Sequence, residues 1–362
     1  MELDKLFKDE QSRQQIIAHF QRIQMLCGDE KHQAVEIFED SPCYEEEDLI
    51  SLYRVQNAIL WETDPCRQET LANSFRQKVS QMKPKTDKPE RIYLWPAGKM
   101  PKHTPYTENP GHQYNHDPGF LPYMYEMLLP PNIQPKGAVV VCAGGDHGDS
   151  TLFEGYFVCK ELNQLGYQCF LLNNRVHNRP WSKQECGADT ARAIQIIRSR
   201  AQQYAIAPDR IAFAGFSNGG LTGDANIRYY SGGQKVRDSF PGYIPDELDE
   251  FSGSPNAFLC IYGPRMKDDT QDDPRAVYPP TFFAVGRKDE AVQANLQFHY
   301  RKLLDAGVPV EIHTFSGIPH GIAGKTHIDG AQMYQNFQLW LPLADHFMQD
   351  AFNEEIERSK QP

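Results

Sequence analysis

Three residues of this chain have the types and the order needed for nucleophilic acyl transfer: Ser217, Asp289 and His320. Ser217 lies in "RIAFAGFSNGGLTGD", with Gly215 and Gly219 two positions to either side. In a strand–turn–helix of the Gly-x-Ser-x-Gly type the central residue holds a strained backbone that lifts its hydroxyl clear of the sheet, and bulky neighbours two positions away would clash there. A serine hydroxyl is a weak nucleophile at neutral pH, so a base must take its proton during attack and return it to the leaving group. His320, in "SGIPHGIAG", is the candidate base. Asp289, in "RKDEAV", would orient the imidazole and stabilise the imidazolium without itself becoming protonated.

Taken singly, a surface aspartate or a hydrogen-bonded structural histidine is an everyday feature. The elements that must position these residues change that reading. The run Ile211-Ala212-Phe213-Ala214 is continuous in apolar character and suits a strand covered on both faces, with a helix able to begin beyond Gly220. Strand-like and helix-like runs alternate around it: AVVVCA (138–143), a helix over about 152–165, QCFLLN (168–173), and a helix over about 187–204. After the serine come FLCIY (258–262), TFFAVG (281–286), a helix over about 291–304, VEIHTF (310–315) and a final helical segment over about 331–352. Such alternation predicts a mostly parallel sheet with helices on both faces, with catalytic groups gathered in loops at the carboxyl ends of the strands. Asp289 follows TFFAVG and His320 follows VEIHTF, which gives the chain order Ser, Asp, His found in α/β-hydrolases.

Such chemistry also needs backbone N–H donors for the oxyanion. One is expected from Asn218, the residue after the nucleophile, and another from the loop "GGDHGDS" after AVVVCA, at Gly145 and Asp146. A carboxylate projecting into that hole would repel developing negative charge, so the Asp146 side chain is expected to turn away. It would cap nearby backbone N–H groups or hold Arg175 or a neighbouring histidine, leaving only its amide facing substrate.

The first part of the chain differs in kind. Up to about residue 82 it is rich in Gln, Glu, Lys and Arg, with apolar residues at helical spacing at Ile16, Ile17, Phe20 and Ile23, and again at Leu49, Ile50, Leu52 and Tyr53. "KPKTDKPE" then reads as a polar linker before strand-like "RIYLWP". The division is therefore a helical extension over 1–85 and a catalytic domain over 86–362. The extension is expected to pack on that domain or on a second copy of the chain.

The composition narrows the function classes. A net charge of -11 over 362 residues argues against a nucleic-acid or anionic-membrane surface. "MELDKLFKDEQSRQQ" lacks the apolar core of a secretory signal, and no apolar stretch is long enough to span a bilayer, so the cytoplasm is the expected location. The eight cysteines form no CxxC pair, and Cys142, Cys159, Cys169 and Cys260 fall in apolar runs where they read as small buried hydrophobes. His103, His112, His116 and Asp117 match no zinc spacing and read as part of a proline-rich polar loop. Neither a metal nor a cofactor is expected.

The segments "CAGGDHGDSTLFEGYFVCKELNQLGYQCFLLNNRV", "DTARAIQIIRSRAQQYAIAPDRIAFAGFSNGG", "PPTFFAVGRKDEAV" and "AGVPVEIHTFSGIPHGIAG" together resemble the acetyl xylan esterase and feruloyl esterase-like α/β-hydrolases over roughly residues 90–350. The glycine-rich loop, the Glu154-Gly155 pair, Arg175, and the nucleophile, acid and His-Gly segments recur in the family's order. The resemblance implies Ser217 as nucleophile, Asp289 as acid, His320 as base and amides around Gly145, Asp146 and Asn218 as the oxyanion hole. It further implies a serine esterase that removes small acyl groups, above all acetyl, from carbohydrate or a related small molecule through an acyl-enzyme. Asp146 and His147 stand where the family carries Gly-Tyr, Asn218 where it carries alanine, and the extension has no counterpart. A peptidase of the prolyl-oligopeptidase type would use the same triad, but the chain has no propeller-sized extension. A non-catalytic binding module on the same fold would not need the three residues.

Overall fold

The structure is a computed structural model that describes residues 10–102, 117–145, 148–176, 181–269, 274–329 and 335–359; for 10–24, 291, 328, 329 and 354–359 only the backbone is described. Eight strands form one sheet in the order β1-β2-β4-β3-β5-β6-β7-β8. They are β1 (Ile92–Tyr93), β2 (Tyr123–Met127), β3 (Ala138–Cys142), β4 (Gln168–Asn173), β5 (Ile211–Phe216), β6 (Ala257–Ile261), β7 (Thr281–Gly286) and β8 (Val310–Phe315). From β4 to β8 every neighbouring pair is parallel, while β1 with β2 and β2 with β4 are antiparallel. The central strands β3, β4, β5, β6 and β7 are buried along their whole length, as their unbroken apolar runs require. The edge strand β8 carries Glu311 and His313 and is only partly covered, which discourages pairing with another chain.

Helices fill both sides. Three precede the sheet: α1 (Glu10–Glu39), α2 (Glu46–Trp61) and α3 (Pro65–Gln81). Gly28, at φ 49°, breaks α1 into two helical segments. Seven residues of π-helix (Thr151–Phe157) lead into α4 (Val158–Gln164). Gly155 lets that segment press on β4, since a Cβ there would stand 2.6 Å from Leu171 Cδ1. Next come α5 (Lys183–Ser199), α6 (Asn218–Tyr230), a single turn α7 (Val236–Ser239) and α8 (Glu290–Asp305). Two further single turns, α9 (Thr326–Asp329) and α10 (Gln335–Gln338), precede α11 (Trp340–Ser359). Among the described residues no helix is long and apolar enough to cross a membrane.

The strands around Ser217 fall where the sequence places them, while several other elements differ. The helical segment expected over about 331–352 is instead a single turn, α10 (Gln335–Gln338), followed by α11 (Trp340–Ser359), and α5 ends at Ser199 rather than near 204. The strand β2 has no sequence signal of its own, because "PYMYEM" sits behind a proline-rich polar stretch that masks its pattern. The helix α5 starts at Lys183, four residues before the expected 187. A capping box explains this: Ser182 Oγ accepts the amide of Glu185 at 3.2 Å, and Glu185 Oε2 accepts that of Ser182 at 2.9 Å.

The N-terminal helices and the sheet share one continuous core. Phe38 of α1, Leu49, Leu52 and Tyr53 of α2 and Phe75 of α3 are buried in the same cluster as the β3 and β4 side chains. Polar bonds fasten the end of α1: Asp40 accepts the hydroxyls of Tyr123 at 2.9 Å and Tyr125 at 2.8 Å, and pairs with Arg91. The side chains of Ile16, Ile17, Phe20 and Ile23 lie outside the described residues.

Candidate active site

Ser217 occupies the joint between β5 and α6 with φ 50° and ψ −113°, a conformation a residue with a Cβ rarely adopts. Backbone bonds enforce it: the Ser217 amide donates to Ile261 O at 2.9 Å, and the Gly220 amide donates to Ser217 O at 3.0 Å. The flanking glycines are sterically required. A Cβ on Gly215 would stand 2.3 Å from Gly219 O, and one on Gly219 would stand 2.2 Å from Cys142 O. Helix α6 thus rests directly on the ends of β3 and β5, which is what raises the hydroxyl.

The three residues picked out by chain order meet in space. Ser217 Oγ lies 2.8 Å from His320 Nε2. On the other side of the ring, Nδ1 pairs with Asp289 Oδ2. Asp289 is buried at the N-cap of α8, where its Oδ1 accepts the Val292 amide at 3.4 Å. With Nδ1–H donating to that carboxylate, Nε2 is free to accept the serine proton. Burial opposes protonation of His320, yet the hydrogen bond and charge of Asp289, with the charge of Glu154 added, outweigh it and hold the imidazole pKa above the ordinary histidine value.

The loop after β3 approaches the serine closely. A Cβ on Gly144 would stand 2.7 Å from Ser217 Cβ. Gly145, at φ 59°, takes a left-handed turn, and its carbonyl accepts Asn218 Nδ2 at 2.8 Å. Asn218 therefore ties the start of α6 to this loop through its side chain, a bond that an alanine could not make. Asp146 and His147 lie outside the described residues. Arg175 is fully buried and donates Nε to Asp189 Oδ2 at 2.9 Å, Nη1 to Pro101 O at 2.6 Å and Nη2 to Asp189 Oδ1 at 2.7 Å.

Two residues at the site were not given roles by their own sequence context. Glu154, known only as half of a Glu-Gly pair, is buried, and its Oε2 accepts the Gly144 amide at 2.7 Å while its Oε1 accepts the Tyr262 hydroxyl at 2.7 Å. Tyr262, at φ 38°, in turn accepts the Ala323 amide at 3.2 Å and sets its ring edge-on to His320, with centroids 5.0 Å apart. One chain of bonds so links the loop after β3 to the loop that carries the histidine. Burial pushes the Glu154 carboxyl above its usual range, against the pull of those two donors. Of the residues set aside as a metal site, His103, His112 and His116 lie outside the described residues. Asp117 accepts the Gly119 amide at 2.6 Å and closes a turn.

No protein-family model and no curated protein matches the chain in sequence. Solved structures do match. The acetyl ester-xyloside bifunctional hydrolase from Caldicellulosiruptor lactoaceticus is 23% identical over 72% of this chain and 96% of that one, with a TM-score of 0.54. Esterase 2 of Thermogutta terrifontis, phosphorylated by paraoxon, is 19% identical over 73% of this chain and 95% of its own, at a TM-score of 0.51. A carboxylesterase from Lactobacillus plantarum is 20% identical over 64% of this chain and 92% of its own, at 0.50. The chain has the α/β-hydrolase fold. At these identities the likeness is one of architecture. In the chain, Ser217, Asp289 and His320 follow β5, β7 and β8.

Proposed function

We propose that this α/β-hydrolase is a serine esterase that removes small acyl groups, foremost acetyl, from carbohydrate or a related small molecule. The observation that carries the reading is the hydrogen-bonded sequence Ser217–His320–Asp289, with the serine in a strained turn at the end of a buried strand. Ser217 Oγ attacks the acyl carbon while its proton passes to His320 Nε2. The imidazolium, paired with Asp289, then protonates the departing alcohol oxygen as the C–O bond breaks and the acyl group stays on the serine. A water repeats the cycle, giving its proton to His320 and its oxygen to the acyl group, which leaves as the acid. The amides of Asn218, Gly145 and Asp146 are the donors assigned to the oxyanion, within a loop fixed by Glu154 and by the Asn218 side chain. Acetyl and carbohydrate are supported by the motif resemblance and by the Caldicellulosiruptor neighbour's described activity on acetyl esters and xylosides.

A fluorophosphonate probe should label the protein at Ser217, and Ser217→Ala should abolish labelling and ester turnover with the unfolding transition intact. Turnover measured across acetylated sugars, feruloyl esters and short and long p-nitrophenyl esters defines the acyl and alcohol preference. Labelling at another residue, or an active Ser217→Ala protein, would remove the reading.

A further inference from the structure

His320 stands in a loop whose own residues give it little stiffness. Gly321 and Gly324 follow it at φ 70° and 72°, in the left-handed region that favours glycine. Bonds from other elements fix this loop on either side of the imidazole. Before it, Ile318 O accepts the Lys288 amide at 2.9 Å; after it, the Ala323 amide donates to the Tyr262 hydroxyl at 3.2 Å. Tyr262 is buried just past the end of β6, and its φ of 38° is a conformation that persists in a tyrosine only where the surroundings enforce it. That strained backbone holds the ring edge-on to His320 and the hydroxyl under Ala323.

The Tyr262 oxygen accepts from Ala323, so its own proton goes to Glu154 Oε1 at 2.7 Å. The other carboxylate oxygen, Oε2, accepts the Gly144 amide at 2.7 Å. Both partners are donors, and an ionised carboxylate receives both, whereas a protonated acid or an amide would turn an O–H or N–H toward one of them. Burial raises the Glu154 carboxyl, while the two donors and the positive charges of His320 and Lys325 pull it back toward ionisation. Glu154 also lies close under the histidine loop. A Cβ on Gly324 would stand 1.9 Å from Phe153 O, and one on Gly321 would stand 3.9 Å from Glu154 Oε1. Three charged groups therefore act on the imidazole: Asp289 at the N-cap of α8 and Glu154 on the π-helical segment favour its protonated form, and Lys325 opposes it. For stability alone, an apolar side chain at position 154 would cost less than a buried carboxylate.

We propose that Glu154 and Tyr262 are a positioning pair for His320: the tyrosine hydroxyl ties down the loop that carries the base, and the ionised carboxylate behind it is a second anion, after Asp289, that supports the imidazolium. This rests on the esterase reading above. Both residues act through His320.

The test uses the full-length protein and p-nitrophenyl acetate, with kcat and KM measured from pH 5 to 9 and the unfolding temperature measured for each variant. Glu154→Gln removes the charge at nearly constant shape, and Tyr262→Phe keeps the ring but removes the hydroxyl. The base works when neutral, so kcat/KM rises as His320 loses its proton, and losing a nearby anion lets that proton leave at lower pH. For Glu154→Gln the expected result is a limb moved to lower pH by about half a unit or more. For Tyr262→Phe it is a loss of about 10-fold in plateau kcat with KM within about threefold, since a loosened base is misaligned for proton transfer. A purely structural role would lower the unfolding temperature but leave the limb in place and kcat unchanged well below that temperature. In a protein that hydrolyses the ester, a limb within about 0.2 unit of wild type in Glu154→Gln overturns the pair, as does a folded Tyr262→Phe within about twofold of wild-type kcat. If Glu154→Gln does not fold, Tyr262→Phe decides alone. A wild-type protein that neither labels at Ser217 nor turns over any ester removes the esterase reading and this role with it.

Discussion

The contact between Asp289 and His320 fixes which ring nitrogen carries the proton and how basic the other one is. The His320 pKa is raised although burial works against protonation, because the Asp289 bond and charge prevail. A general base works only in its neutral form, so kcat/KM should climb with pH through a limb that lies above the ordinary histidine value of about 6.5. Replacing the carboxylate removes the raising influence. Asp289→Asn should therefore do two things: lower turnover by orders of magnitude, since the amide favours the wrong imidazole tautomer, and shift the remaining limb to lower pH. The exposed neighbour Glu290 provides the control, and Glu290→Gln should change neither rate nor limb. Initial rates from pH 5 to 9 on one ester check both. A limb that stays put in Asp289→Asn would mean that another group sets the basicity of His320. At this scale the sequence was informative wherever a residue's function followed from type and chain order, as for Ser217, Asp289 and His320. It gave Glu154 only as half of a Glu-Gly pair and was silent on Tyr262. What they do follows from which backbone amides they reach, across sequence separations of 10 and 61 residues, and one-dimensional spacing does not encode that.

The nucleophile is presented by the contact of a helix with strand ends, and four glycines make that contact possible. Gly215, Gly219, Gly220 and Gly263 sit where a Cβ would meet backbone atoms at 2.3, 2.2, 2.6 and 2.1 Å respectively. Backbone cannot yield as a flexible side chain does. For Gly215→Ala the added methyl meets the carbonyl of Gly219 and the amide of Gly220, so α6 must move away from β5. Overpacking of this kind costs about 1–3 kcal/mol, and more where only backbone can give way. The expected outcome is a drop in thermal midpoint of several degrees together with a larger loss of fluorophosphonate labelling, because the shift moves Ser217 itself. Unchanged labelling in a destabilised protein would separate the packing of α6 from the presentation of the serine. The strands here were legible because five of them are buried on both faces and read as unbroken apolar runs. The strand β2 is antiparallel, follows a polar, proline-rich stretch and mixes Tyr, Met and Glu, so its sequence carries neither a continuous nor an alternating signal. The π-helical opening before α4 was equally invisible, since an apolar run with helical spacing does not distinguish π from α turns.

Across the whole molecule, the N-terminal helices belong energetically to the sheet. Read along the chain, a charged helical stretch closed by "KPKTDKPE" has the outline of a separate unit, and the apolar positions on its helices look too few for a core of their own. Those same positions, Phe38, Leu49, Leu52, Tyr53 and Phe75 among them, are buried in the cluster that contains the central strands. Each large side chain so buried contributes about 1.5–3 kcal/mol, and five of them amount to on the order of 10 kcal/mol. That is the size of a typical domain's entire net stability, about 5–15 kcal/mol. Part of this energy holds the helices to one another, but the share made with the sheet is still large against so small a margin. Deleting residues 1–85 would also remove Asp40, which accepts the hydroxyls of Tyr123 and Tyr125, and Glu39, which accepts the Gly148 amide. The truncated chain should therefore fail as an independent domain. It should aggregate or bind a hydrophobic dye, and unfold without a cooperative transition. A shorter cut that removes only residues 1–24 leaves those contacts intact and should give a soluble chain with its unfolding transition preserved. Calorimetry and light scattering on the two truncations distinguish the cases. If the chain lacking residues 1–85 is soluble and melts cooperatively at the full-length temperature, the shared core contributes little, and these helices are an appendage after all.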